Sequence, residues 1–158
     1  AQWCRKAANQ GHAIAQLNLG VSYSNGEGVA QDFKKAVQWF RKAADQGNVA
    51  AQYNLGVMYH HGRGVAQDLQ TAAQWFCKAA DQGNADAQFN LGIMYHHGQG
   101  VARDFQTALQ WYRRATAQGH VDAQYNLGAM FQSGKGVAQN LQKAAQWFHK
   151  AADQGQVD

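Results

Sequence analysis

The chain has 158 residues, 46% of them apolar, no proline, and a formal net charge of +4 with histidine neutral. No apolar run approaches the ~20 residues of a membrane helix. No charged, apolar, small-residue sequence opens it as a signal peptide would. The expectation is therefore a soluble helical chain, with cytoplasm, periplasm and secretion all open.

Taken from the N-terminus, residues 1–11 (AQWCRKAANQG) read as half of a unit that is then repeated whole over 12–47, 48–83, 84–119 and 120–155, leaving a stub at 156–158. The five tryptophans Trp3, Trp39, Trp75, Trp111 and Trp147 are spaced by 36 residues without insertion or deletion. All seventeen glycines fall in four columns of that repeat. A fixed period of this size marks stacked supersecondary units, none of which buries its apolar face alone.

Within the unit at 48–83, Ala51, Leu55, Met58 and Tyr59 recur at steps of three and four, which predicts a helix A over about 48–61. Leu69, Ala72, Ala73, Trp75, Phe76, Ala79 and Ala80 predict a helix B over about 68–82. Asp68, with Asp32, Asp104 and Asn140 in the other copies, is placed to cap helix B. The column of Gly83 is placed to end helix B in the left-handed conformation, and the Gly62–Gly64 pair to turn the chain between helices. Gly56 lies mid-helix, where glycine costs about 1 kcal/mol relative to alanine. Its recurrence predicts close approach of helix B, through an alanine or the tryptophan.

Cys4 stands in the column of Phe40, Phe76, Tyr112 and Phe148 and is expected to be buried. Cys77 stands with Arg5, Arg41, Arg113 and His149 and is expected to face outward. Two repeats at ~10 Å each separate them by roughly 20 Å. That is beyond the ~7 Å Cα limit for a disulfide, so two free thiols are expected.

The string AQYNLGVMYHHGRGVAQD, followed by AAQWFCKAADQG, resembles the Sel1-like repeat, a variant of the tetratricopeptide helix-turn-helix repeat. The resemblance covers the whole chain. It implies an all-α, right-handed α-solenoid of antiparallel helix-turn-helix repeats, about nine helices, with helices A on the concave face and helices B on the convex face. It also implies adaptor or scaffold roles.

Eleven of the fourteen Lys and Arg residues lie in helix B segments and none in helix A segments. A groove lined by helices A would lack the cations that track phosphates, which argues against nucleic acid as partner. What that face offers is a column of amides, Asn18, Asn54, Asn90 and Asn126, beside Leu17, Tyr53, Phe89 and Tyr125. A carboxamide both donates to and accepts from a peptide bond, so the column suits an extended backbone. The same residues could instead pin each repeat to its neighbour. Val57 and Ile93 would add apolar contact.

His60 and His61, then His96 and His97, end two successive helices A, and one of each pair is expected to meet ligand while the other caps the helix. Equivalent histidines roughly 10 Å apart are too distant for one metal ion. No nucleophile elbow, paired carboxylates or phosphate loop is present. The expectation is a noncatalytic protein- or peptide-binding scaffold with no cofactor and no membrane insertion. The alternative is a structural spacer within a larger signalling or secreted protein, with a hydrolase or metal-dependent enzyme a distant third. The chain begins and ends without polar caps, so end-to-end self-association through the terminal repeats is also expected.

Overall fold

The computed structural model describes the backbone of residues 2–155 and the side chains of residues 6–154. The expectations for Trp3, for a buried Cys4 and for the 156–158 stub lie outside them. Among the described residues the chain forms nine helices and no strand: α1 (Gln2–Asn9), α2 (Ala13–Asn25), α3 (Phe33–Asp45), α4 (Val49–His61), α5 (Leu69–Asp81), α6 (Ala85–His97), α7 (Phe105–Ala117), α8 (Val121–Ser133) and α9 (Leu141–Gly155). Even-numbered helices are the A helices and odd-numbered ones the B helices. None is long and apolar enough to cross a membrane.

The helices group into two compact units, residues 1–82 with α1 to α5 and residues 83–158 with α6 to α9. In the first unit each helix packs on the next, and the buried core joins Leu19, Phe40, Leu55 and Met58 to the fully buried Ala36, Ala43 and Ala51. In the second the core is Leu109, Tyr112, Leu127, Met130 and Phe131, with Ala108, Ala115 and Ala123 at the closest approaches. Alanine on both partners lets the helix backbones come near while larger side chains fill the space between.

Helix ends follow from local chemistry. Asp32, Asp68 and Asn140 accept the amide N–H three residues on at 3.0, 3.0 and 2.9 Å, and Asp104 accepts from Gln106 at 2.9 Å and Thr107 at 3.2 Å. These are the capping contacts expected of short polar side chains. Gly62, at φ +67°, ends α4 in the left-handed region and its N–H donates to the Met58 carbonyl. No histidine caps that end. The expectation that one of His60 and His61 does so is corrected, because glycine satisfies the last turn through its backbone alone.

Gly56 does face helix B, but its neighbour is neither an alanine nor the tryptophan. A Cβ there would lie 2.7 Å from Cδ1 and Cε1 of the buried Phe76 ring. Trp75 is half-buried, as are Trp39 and Trp111 in their copies, while Phe40, Phe76 and Tyr112 beside them are almost fully enclosed. The tryptophans instead carry cations: Lys42, Lys78, Arg114 and Lys150 lie 4.4, 4.1, 4.7 and 5.1 Å from the ring centres one turn before them. The smaller aromatic is the core wedge and the tryptophan covers its edge.

The G-x-G turn has a second task. In addition to its positive φ of 72°, Gly64 meets the backbone of the preceding copy's helix B, with the Phe33 carbonyl and the Lys34 nitrogen against the place a Cβ would occupy. Gly136 meets the Phe105 backbone in the same way.

Candidate functional site: the helix A faces

The unsigned face of helix A is settled by two amide columns two residues apart. Gln16, Gln52, Gln88 and Gln124 are buried. Gln16 Nε2 donates to the Ala8 carbonyl at 3.1 Å and Gln52 Nε2 to the Ala44 carbonyl at 3.3 Å, each reaching the helix B before it. From the other side, Gln46 donates to Gln16 Oε1 at 2.7 Å, Gln82 to Gln52 Oε1 at 2.8 Å and Gln118 to Gln88 Oε1 at 2.9 Å. One buried amide thus ties three successive helices. In the fourth copy Gln124 Nε2 donates to Gln154 at 3.5 Å and Gln124 Oε1 is buried without a partner. The preceding helix there carries Thr116 where Ala8 and Ala44 stand.

The sequence reading overlooked these glutamines. Their signal was present, since both the Ala-Gln of helix A and the Gln-Gly after helix B recur in every copy.

The asparagines two residues on are differently placed. Asn54, Asn90 and Asn126 are half-buried and Asn18 is exposed. Among the described residues the side chains of Asn18, Asn54 and Asn90 make no intramolecular hydrogen bond. Asn126 hydrogen-bonds to the Tyr112 phenol, which burial pushes well above its ordinary pKa and this bond pulls partway back. Only that copy has a hydroxyl in the column otherwise filled by Phe40, Phe76 and Phe148.

Around them, Tyr53 tilts onto Phe76 at 5.8 Å between ring centres and Tyr125 onto Phe148 at 5.3 Å. Tyr125 remains 59% exposed. Val57 and Ile93 are half-buried. Phe89 is partly occupied, with the His120 ring stacked on it at 4.5 Å. His120 also accepts the Ala123 N–H on Nδ1 at 3.2 Å and presents Nε2 to Asp86 at 3.3 Å. It caps α8 where Asn48 and Asn84 cap α4 and α6.

His60 and His96 are half-buried against Phe76 and Phe105, at 6.4 and 5.1 Å, while His61 and His97 are exposed. Desolvation first, then the neighbouring histidine, lowers the His60 pKa. The same two causes lower that of His96, with Lys135 and Arg103 adding to them. Among the described residues no group of three or more His, Cys, Asp or Glu is placed to hold a metal ion. Cys77 is exposed and not in a disulfide, as its column predicts. Helices α2, α4, α6 and α8 contain no Lys or Arg, and α6 and α8 begin with Asp86 and Asp122.

The family profile of the Sel1 repeat matches residues 1–12, 13–48, 49–84, 85–120 and 121–156. None of the curated proteins matches significantly. Among solved structures, the chain is similar to c5321, a protective antigen of uropathogenic Escherichia coli strains with an SLR fold, at 42% identity and a TM-score of 0.95, over 98% of this chain and 33% of that one. It is also similar to a Sel1 repeat protein from Oxalobacter formigenes, at 36% identity and a TM-score of 0.90, over 92% of this chain and 58% of that one. The immunity protein Pa5087 from Pseudomonas aeruginosa matches at 29% identity and a TM-score of 0.61, over 96% and 56% of the two chains. The chain thus spans between a third and three-fifths of these relatives' lengths. It is an all-α helical-repeat solenoid, of a kind that generally mediates protein–protein interaction and is typically noncatalytic. With the profile matched in register from residue 1 to residue 156, the chain belongs to the Sel1 repeat family.

Proposed function

We propose that the chain is a noncatalytic scaffold whose helix A faces hold an extended segment of a partner protein. Each unit has its own pair of asparagines for the task, Asn18 and Asn54 in the first and Asn90 and Asn126 in the second. The observation that carries this reading is that, among the described residues, three of the four have amides that make no hydrogen bond. The buried glutamines already tie successive helices, which supports reading the asparagines as ligand contacts over register pins. A free carboxamide beside an aromatic ring matches the alternating polar and apolar surface of a peptide strand. Tyr53, Phe89 and Tyr125, with Val57 and Ile93, would supply apolar area, and His60, His61, His96 and His97 the rim. Absence of Lys and Arg from these helices favours a peptide over a nucleic acid. Likeness to structures described as immunity proteins is compatible with a binding task.

The test is capture of partner protein from extract of the source cells by the wild-type chain, by the Asn18→Ala/Asn54→Ala variant and by the Asn90→Ala/Asn126→Ala variant. Loss of capture with the melting temperature held within a degree or two supports the reading. A fall in melting temperature that accompanies every loss of capture would make the asparagines structural and overturn it.

A further inference from the structure

The same columns of the repeat have different contents in the two units. In the second unit, α7, α8 and α9 enclose an open cavity of about 710 Å³ whose floor is Leu127, Phe131 and Trp147 and whose rim is Arg113, Lys143 and Lys150. Two repeats earlier the same columns hold Leu55, Tyr59 and Trp75, and Arg41, Thr71 and Lys78.

Four replacements separate them. Arg41 donates to the Tyr59 hydroxyl and lies over its ring, whereas Phe131 offers Arg113 no hydroxyl. Asp45 becomes Ala117, which removes a carboxylate from the rim. Asp68, which accepts from Thr71 Oγ1 at 2.6 Å, becomes Asn140, while Thr71 becomes Lys143. In the first copy of the repeat the corresponding Lys35 is paired with Asp32 at 3.1 Å; Lys143 faces a neutral cap instead. Beyond Asp81 and Asp153, which follow Lys78 and Lys150 by one turn in both copies, the earlier set therefore has two cations and two carboxylates, and the later one three cations and neither of those carboxylates. Among the described residues Arg113, Lys143 and Lys150 have no ion pair.

We infer that the groove of the second unit is a docking site for an acidic peptide segment of a partner protein, one that places carboxylates on the three cations and an apolar side chain on the Phe131–Trp147 floor. Charge complementarity requires an anion, and the apolar floor requires that it bring a hydrophobic group. Lys143 lies 5.5 Å from the Phe131 ring centre and Lys150 5.1 Å from that of Trp147, so the cations stand beside the apolar floor. The cations of the site lie on helices B, α7 and α9, and its floor is shared with Leu127 and Phe131 of α8.

The probe is a fluorescein-labelled hexapeptide with four carboxylates flanking a Leu-Phe pair, titrated into the whole chain at low salt and followed by anisotropy, with the indole N–H resonance of Trp147 as local readout. The expected result is saturable binding that shifts that resonance and weakens about tenfold or more in Ala117→Asp/Phe131→Tyr, which brings back the Asp45 and Tyr59 of the earlier copy at those two positions. Lys143→Thr, an exposed change to the residue of the second and third copies, should weaken it similarly and guards against misfolding of the double variant. Asn90→Ala/Asn126→Ala should bind unchanged. Absence of binding, equal binding of the Asn/Gln version of the peptide, or insensitivity to Lys143→Thr would overturn the inference. So would tighter binding at this groove by labelled oligothymidylate or by phosphatidylglycerol vesicles, which would make it a phosphate site.

Discussion

Gln52 and Asn54 carry the same functional group two residues apart on one helix, recur in every copy, and do opposite things. The glutamine is buried and bonded on both sides, to the Ala44 carbonyl and to Gln82. The asparagine is half-exposed and, among the described residues, its side chain has no hydrogen-bond partner. Recurrence in a repeat protein reports only that a residue is needed in each unit. Burial and partners distinguish an amide that holds the array from one left to hold something else.

The sharpest way to break this comparison is Gln52→Leu, which keeps the volume but strips the Ala44 carbonyl and Gln82 of a partner. We expect a loss of about 3 kcal/mol, from two hydrogen bonds and the polar groups left behind, measured by urea unfolding. If the loss equals that of Asn54→Leu, the two columns are equivalent and the distinction fails. Gly56→Ala comes next. The gain of ~1 kcal/mol in helix propensity is outweighed by overpacking against Phe76, for a net destabilisation of about 2 kcal/mol. A rise in melting temperature would show that the Phe76 ring gives way without cost.

Acidification separates the half-buried histidines from the exposed ones beside them. His60 and His96 have pKa values lowered below the ordinary 6.5 by desolvation. Between that value and the lower folded one the unfolded chain binds more protons than the native. Their contribution to stability is therefore full above pH ~6.5 and is lost as pH falls through the folded value. The melting temperature should decline from pH 7 to pH 5, and His60→Gln/His96→Gln, with the residue already at Gln132, should flatten that decline. The capping carboxylates Asp32, Asp68 and Asp104, held below their ordinary 3.8 chiefly by hydrogen bonds to the helix amides or side chains they cap, act only in more acid solution. The smallest effect is expected from Asn54→Leu, within about 0.5 kcal/mol of wild type; a larger loss would return the asparagine to the structural class.

The elements themselves were legible. The spacing of Leu55, Met58 and Tyr59 and the cap at Asp68 place α4 and α5 within a residue of where they lie, because periodicity and capping are local properties. That Gly56 meets helix B was also legible, from the helix propensity it sacrifices. Which ring it meets was not, since Trp75 and Phe76 are adjacent and only the crossing of two helices decides which one points inward. The glutamine pairs join residues thirty apart. No local pattern reveals that pairing, although both columns were visible. In the outer groove the reverse held: three substitutions in the fourth copy, each ordinary alone, gain meaning only when the fold gathers them at one rim.

Gly64 is pressed against the backbone at the start of the previous copy's helix B, and Gly136 repeats the contact in the second unit. Each unit thus carries one half of a joint at its turn and the complementary half at its second helix. A crossover that deletes or duplicates a block of 36 residues, wherever it begins, leaves every remaining joint with both halves intact. Adding one residue to a turn spoils a joint at once. Such an array is free to change length in whole repeats while its loops are held to a fixed length, so its genes can drift in copy number without drifting in period.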